Sequence, residues 1–568
     1  MPRYPDVANP DLVDRIPLSA RHVMDVGCGT AALAGEYRRR NPRARLSGID
    51  HDPAAAAVAR ERLDRLFLAD LDHDPLAFAD DVPAGGYDCL VYGDVLEHLR
   101  EPWSVLREHA ACVAPDGVVL ICTPNLEHWS FVDRLLRGTW RYEDHGLFDR
   151  THLRWFTPEM MRQALAAAGL HPVDVAPRRF DVAEAEAFAR AIAPSLERLG
   201  IDPAGYLPRC GPLQHVWRAQ RRPASLIFVA STMLEPVGGV SDVRVGQPLR
   251  ALAAEPGMLP RLASLAEPPE PPPDMARVFV LHRPVLAGEA GLRQLRWLID
   301  RGWLVVCEFD DHPSYLPVMR QPEVRSFRGV HAVQTSTEPL AEILRTENPE
   351  VEVFANAVSR LPDPRNHADP SRQTLFFGGI NRERDWPDLL PGLNGAAARA
   401  GARLHFRIVA DRGLFDALRT PHKEFHPLCD YTTYQSLLAD CEMSFMPLAD
   451  TPFNRCKSDL KFLEAAAHRV TPLASHVVYA DTIRDGQTGL LFRDAHELQQ
   501  RILRLVASPE LGRVMGEAAR SYVVAERMLA YQAARRAAWY RSLWARRDSL
   551  HRALLARVPE LAAPLAPA

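Results

Sequence analysis

The chain has 568 residues, enough for three or four folding units, with 47% hydrophobic and 25% charged residues. A formal net charge of −4 excludes the broad basic face of a nucleic-acid binder, and no uncharged apolar run reaches the length of a membrane span. Nine cysteines without a CxxC pair, and an N-terminus lacking a basic then apolar leader, predict a reducing, cytoplasmic setting, with Cys28, Cys89, Cys112, Cys122 and Cys307 as reduced thiols in apolar surroundings. In chain order, strands are predicted over residues 22–26, 45–49, 87–92 and 117–123, with helical patterns over 53–66 and 103–113 between them. A less regular stretch, 181–222, follows. A second strand series covers 226–230, 276–281, 303–309, 331–335 and 351–355, interrupted by the EPPEPPP loop at 267–273. A third covers 374–378, 404–410, 443–447 and 471–474, and the tail from about residue 525 is helical. Short apolar strands alternating with amphipathic stretches predict an α/β protein with mainly parallel sheets.

The first strand runs into VMDVGCGT at 23–30. Glycines at 27 and 29 let the backbone turn tightly and point amides at a ligand. The second strand ends in Gly48-Ile49-Asp50, an acid placed to bind two ribose hydroxyls. Residues 27–32 also satisfy GxGxxA, so these features alone leave an NAD-binding unit open. Asp25, two residues before the first glycine, Phe67–Leu71, the run YDCLVYGDVLEHL at 87–99, and Pro115-Asp116-Gly117 extend the pattern.

This ordered set resembles the class I S-adenosylmethionine-dependent methyltransferases over about residues 15–180, with Ala31 where the family usually has a third glycine. The resemblance implies that Asp25, Gly27 and Gly29 cradle the methionine part of the cofactor and Asp50 holds its ribose. It also implies that Asp70 and Leu71 flank the adenine and Asp94 closes the site. The block DHGLFDRTHLRWFT at 144–157 resembles a segment of methyltransferases tied to bacterial surface glycans. Methyl transfer to a hydroxyl needs a base or acceptor near that hydroxyl. His145, His152, Glu97 and His98 are the candidates, each with a purely structural role as the alternative.

Only three lysines occur, Lys423, Lys457 and Lys461. Phe376–Arg382, then Lys457–Ala467, then Asp485–Phe492 follow in an order that resembles the donor lobe of GT-B glycosyltransferases, a two-lobed, twin Rossmann-like fold. The resemblance covers about residues 225–508 and is looser in the first lobe, where Gly238-Gly239 forms a glycine loop. It implies that Gly239, Gly379 and Arg382 line the nucleotide-sugar cleft, that Lys457 and Lys461 meet the diphosphate, and that Glu464 holds the nucleotide ribose. Cations at this place stabilise charge growing on a diphosphate leaving group. Lys457, Lys461 and Glu464 at i, i+4 and i+7 would share one helix face, whereas a Lys461–Glu464 surface pair is the plain reading. Cys456 stands eight before Glu464, where many retaining members carry a second glutamate, so the anomeric outcome is not carried over.

Glu308-Phe309-Asp310-Asp311-His312 is acidic enough to suggest a metal, but its place before the donor lobe favours a structural or acceptor-side role, and no metal is assigned. The arginine-rich tail with Trp539, Tyr540, Leu543 and Trp544 is expected to pack back on the lobes, with peripheral membrane contact as the second reading. Expected boundaries are 1–180, a linker or extension at 181–224, lobes at 225–360 and 361–520, and a tail at 521–568. The expected activity is bifunctional: O-methylation of a sugar hydroxyl, and transfer of a sugar from a nucleotide donor to a glycan or lipid-linked acceptor. The alternative keeps the methyltransferase and makes the GT-B half a glycan-binding module.

Overall fold

The computed structural model describes residues 6–234, 239–363 and 371–562; Gly238 of the expected glycine loop lies outside them. The fold is α/β, built as two compact units: Met1–Ser225 with Ala254–Gly257, and Leu226–Ala253 with Met258–Ala568.

The first unit holds one seven-stranded sheet: β1 (His22–Val26), β2 (Arg45–Asp50), β3 (Arg65–Leu68), β4 (Tyr87–Gly93), β5 (Val113–Pro124), β6 (His171–Arg178) and β7 (Gln214–Gln220). Its order is β3-β2-β1-β4-β5-β7-β6, parallel except for β7, which runs antiparallel to β5 and β6. Successive β4 side chains point to opposite faces. Leu90 and Tyr92 pack with Leu106, Met161 and Leu165, while Cys89 and Val91 pack with Leu12, Ala34 and Tyr37. Burial on both faces explains the continuous apolar runs in the sequence. The order reverses between β1 and β4, and such a switch point opens a crevice at the strands' carboxyl ends.

Two expectations are corrected here. The helix expected over 53–66 is Pro53–Arg62, ending before Arg65–Leu68 pairs with β2 as a strand. The stretch 181–224 is not a linker: it holds helices Val182–Arg198 and Pro203–Cys210 and supplies β7, which lies between β5 and β6. Its Trp217 and Val216 are buried in the two cores, a pattern masked by polar neighbours in the sequence.

The second unit carries two six-stranded, wholly parallel sheets, as a twin Rossmann-like GT-B architecture requires. The first is β8 (Ile227–Ser231), β9 (Met258–Leu262), β10 (Ala276–His282), β11 (Leu304–Glu308), β12 (Ala332–Thr335) and β13 (Val351–Val353), ordered β13-β12-β11-β10-β8-β9. The second is β14 (Gln373–Gly378), β15 (Leu404–Val409), β16 (Lys423–His426), β17 (Met443–Met446), β18 (Thr471–Ser475) and β19 (Leu490–Phe492), ordered β16-β15-β14-β17-β18-β19. Each reverses once, between β8 and β10 and between β14 and β17. The strands β9, β16 and β19 escape the sequence reading: β9 (MLPRL) and β16 (KEFH) lack a continuous apolar run, and β19 is three residues directly after the turn-rich 485–489.

The tail forms helices Ala530–Ala545 and Arg547–Arg557. Ala537, Tyr540, Leu543 and Leu550 join the core formed by Val278, Val280 and Val306 of the first lobe, and Trp539 is buried with them. Trp539, Tyr540 and Leu543 of the tail are thus buried in this lobe, and Trp544 is half-buried against the same core. Among the described residues no helix is long and apolar enough to cross a membrane. All nine cysteines are free thiols; Cys28, Cys89, Cys122 and Cys307 are buried and Cys112 is half-buried.

Candidate functional sites

The turn after β1 is held by its neighbour. The register pairs Val26 with Ile49, and the amides of Gly27 and Cys28 both donate to the Ile49 carbonyl at 2.8 and 3.1 Å. This brings Asp50 beneath the turn, where its carboxylate accepts from Gly29 N at 2.7 Å and from Asp52 N at 2.8 Å. Gly27 has φ +70°, and a Cβ there would lie 2.3 Å from Val95 Cγ2, so only glycine fits. Ala31 takes φ 57° at the start of helix Ala32–Arg40, a conformation that glycine adopts without cost.

Asp25, Asp94 and Glu97 bring three acids to the carboxyl ends of β1 and β4. Burial, then the nearby Asp50 charge, pushes the Asp25 carboxyl up to about 7. Burial raises Asp94 to about 6, and Glu97 rises well above the usual carboxylate range through burial and then Asp94. Asp94, at φ 57°, accepts from Gln214 Nε2 at 2.5 Å. Gln214 was missed by sequence reasoning because it opens β7, inside the stretch read as a linker. Asp70 is exposed and bonded to His73 at 2.8 Å and to Asp72 N at 3.0 Å, while Leu71 is buried in the core. Leu71 thus offers its neighbours packing rather than an open wall.

Of the four acid–base candidates the structure gathers three. Leu153 N and Arg154 N donate to the Glu97 carbonyl at 2.7 and 3.0 Å, docking the 144–157 block against the end of β4. The donor atoms of Glu97, His98 and His152 then lie within 4.8 Å of one another. His145 stays outside this cluster, exposed, in an open depression shared with Asp144, Arg150 and Thr151.

In the second unit, the end of β14 leads through Gly379 to Arg382, whose Nη1 lies 3.1 Å from Asp385 and 3.5 Å from Asn454 Oδ1. Asp385 also accepts from Ala449 N and Asn454 Nδ2 at 3.0 and 2.7 Å, fastening the loop after β17 to the turn after β14. The helix that carries the expected donor residues runs Leu460–Ala467. Lys457 lies before it, so the shared-face expectation holds for Lys461 and Glu464 but not for Lys457. Asp459, the N-cap of this helix, is clamped by Arg527 at 2.6 and 2.8 Å and accepts from Thr482 at 2.9 Å.

Lys457 Nζ instead meets Asp311 Oδ1 of the first lobe at 2.5 Å. Burial lowers the Lys457 ammonium, with Asp311 opposing that effect. Lys461 bonds Tyr434 OH at 2.8 Å and Glu464 Oε2 at 3.2 Å, and Tyr431 OH donates to Glu464 Oε1 at 3.0 Å. The plain Lys461–Glu464 pair is therefore present, within a buried tyrosine frame. Gly239 backs onto that frame: a Cβ there would lie 2.4 Å from Tyr431 Cδ2.

The acidic run at 308–312 is held by cations. Glu308 is fully buried and gripped by Arg244 at 2.8 and 3.1 Å, while Asp310 pairs with Arg283 at 2.6 Å. A buried bidentate pair of this kind orders the lobe, in line with the structural role expected for it.

Residues 3–175 match the family model described as a methyltransferase domain. The chain is 28% identical over 172 residues to a ubiquinone biosynthesis O-methyltransferase of Cereibacter sphaeroides strain ATCC 17025, covering 29% of this chain and 66% of the relative. It is 29% identical over 163 residues to that of Marinobacter nauticus, covering 28% of this chain and 66% of the relative. The chain thus spans just under two thirds of the length of these relatives. Among solved structures, TarM superposes over 46% of this chain and 54% of its own at 12% identity and a TM-score of 0.37. A SAM-dependent methyltransferase from Archaeoglobus fulgidus covers 36% of this chain and 87% of its own at 17% identity and a TM-score of 0.26.

Proposed function

We propose that the first unit transfers a methyl group from S-adenosylmethionine to an oxygen of a sugar, and that the second moves a sugar from a nucleotide donor to a glycan or lipid-linked acceptor. The observation that carries the first activity is the Asp50 carboxylate bonded to Gly29 N beneath the glycine turn at the β1/β4 switch point. The cofactor fits what is there: a turn with no room for a Cβ at Gly27, a carboxylate at the end of β2, and buried acids suited to a cationic ligand. The methyltransferase-domain match and the O-methyltransferase relatives support the same reading.

When bound, the cofactor supplies a methyl group activated by its positive sulfur. Gly27 and Gly29 give it backbone contact, Asp50 accepts from its ribose hydroxyls, and Asp25 pairs with its ammonium end. Asp70 lies at the adenine side. The acceptor hydroxyl would sit against Glu97, His98 and His152, with one of the two imidazoles taking its single proton as the methyl group is passed to the oxygen. Equilibrium dialysis with labelled S-adenosylmethionine and with NAD tests this reading; binding of NAD alone would end it.

For the second unit, support comes from three cations of the second lobe, Arg382 after β14 and Lys457 and Lys461 between β17 and β18, in a chain with three lysines in all. These neutralise the donor's diphosphate, and Glu464, framed by Tyr431, receives its ribose. Isothermal titration with UDP- and GDP-sugars tests it, and an absence of heat with every nucleotide sugar favours the glycan-binding module.

A further inference from the structure

The Glu97 side chain is 1% exposed, yet neither carboxylate oxygen has a hydrogen-bond partner in the protein. Leaving a buried carboxylate in that state is costly, and proteins rarely tolerate it without a bound group that answers it. Two histidines face the same point. His98 Nδ1 lies 3.2 Å from the Thr151 carbonyl, and His152 Nδ1 lies 3.3 Å from the Leu147 carbonyl. Contacts of this kind to backbone carbonyls orient imidazoles in metal sites. One ring nitrogen of each histidine and a Glu97 carboxylate oxygen all lie within 4.8 Å of one another. The rings stand 4.9 Å apart between centroids, edge to face.

We propose that Glu97, His98 and His152 form a binding site for one divalent cation of the zinc class. Two imidazoles and one carboxylate suit zinc or manganese rather than magnesium, which prefers oxygen ligands alone. Ligand atoms about 2.1 Å from a shared tetrahedral ion lie about 3.4 Å apart, so side chains now within 4.8 Å would draw together by up to about 1.4 Å. The site is open to solvent on one side: His98 is half-buried, and Thr151, whose Oγ1 lies 3.1 Å from His98 Nδ1, lines the depression that holds His145. Three protein ligands leave coordination positions for oxygens of an acceptor. That last point rests on the methyl-transfer reading, whereas the cation site does not. Where the ion is bound, Glu97, His98 and His152 would be its ligands instead of proton acceptors, and the acceptor hydroxyl, held through the ion, would lose its proton to water.

The test is a titration of chelator-stripped full-length protein with Zn2+, Mn2+ and Mg2+, read by atomic emission after gel filtration. The expected result is one equivalent of zinc or manganese, weak magnesium binding, and affinity reduced about 100-fold or more in Glu97→Gln and in His152→Ala. Binding of S-adenosylmethionine by each variant serves as the check that it is folded, and His98→Asn replaces any variant that fails this check. No uptake by folded wild-type protein would overturn the site, as would zinc uptake that persists unchanged in the variants and so belongs to the thiols. Variant-sensitive zinc binding in a protein that methylates no sugar would uphold the site and discard the acceptor reading instead.

Discussion

The crevice at β1/β4 and the one at β14/β17 stand at the same place in the same kind of sheet, but their charges are arranged in opposite ways. At β1/β4, acids are gathered into a buried setting with little to answer them, and their carboxyls rise: Asp25 to about 7, Asp94 to about 6, Glu97 higher still. At β14/β17, every expected cation already has a carboxylate beside it, Lys457 with Asp311, Lys461 with Glu464 and Arg382 with Asp385. The first crevice therefore gains stability when a cationic ligand arrives, while the second must give up internal ion pairs to an anionic one. A shared topology fixes where a ligand binds, and the charge pattern decides what it costs to bind there.

The sharpest way to separate the two crevices is Asp50→Ala. It removes the acceptor for Gly29 N and Asp52 N and is expected to weaken S-adenosylmethionine binding about 100-fold or more by calorimetry, while nucleotide-sugar binding is unchanged. Lys457→Ala is expected to do the reverse, cutting donor affinity by about tenfold or more and leaving the methyl donor alone. Asp311→Asn probes the ion-pair competition directly. With its carboxylate gone, Lys457 is released to the diphosphate, and donor affinity should rise severalfold; an unchanged or weaker affinity would remove the idea that Asp311 competes with the ligand.

A pH series sharpens the contrast next. A carboxyl whose folded pKa is raised contributes stability that is full below its unfolded value, near 3.8, and is lost as pH rises through the folded value. The ligand-free first unit should thus lose stability between about pH 4 and 7. Asp25→Asn should stabilise it at pH 8 by on the order of 4 kcal/mol, seen as a higher melting temperature, with the gain vanishing near pH 4. The same variant should lose the increase in S-adenosylmethionine affinity that ionisation of Asp25 brings. The smallest effect belongs to Ala31→Gly, which relieves a left-handed alanine and should stabilise the first unit by about 1 kcal/mol in denaturant titration.

Much of the fold was legible because it is written in local patterns. The apolar runs of β1, β4, β10 and β14 are buried on both faces, so they read as strands without any tertiary knowledge. The glycine turn at 27–29 and the acid at 50 sit in one βα unit, where sequence spacing and spatial spacing nearly coincide. Lys457 marks the limit of such reasoning. Its helical spacing from Lys461 and Glu464 was real in sequence, but the helix begins at Leu460, just after Asp459, whose partner Arg527 lies 68 residues away.

The sequence by itself determined the three α/β rhythms, the glycine turn with the acid 21 residues on, and the presence of acids and histidines near the end of β4. Tertiary structure alone decided that residues 181–224 complete the first sheet and deliver Gln214 to Asp94, that His152 but not His145 joins Glu97 and His98, and that Asp311 reaches Lys457. Hydrophobic period and turn chemistry act over a few residues and are visible in a string of letters. A partner 50 to 150 positions away is chosen by which faces pack together, and no periodicity records that choice.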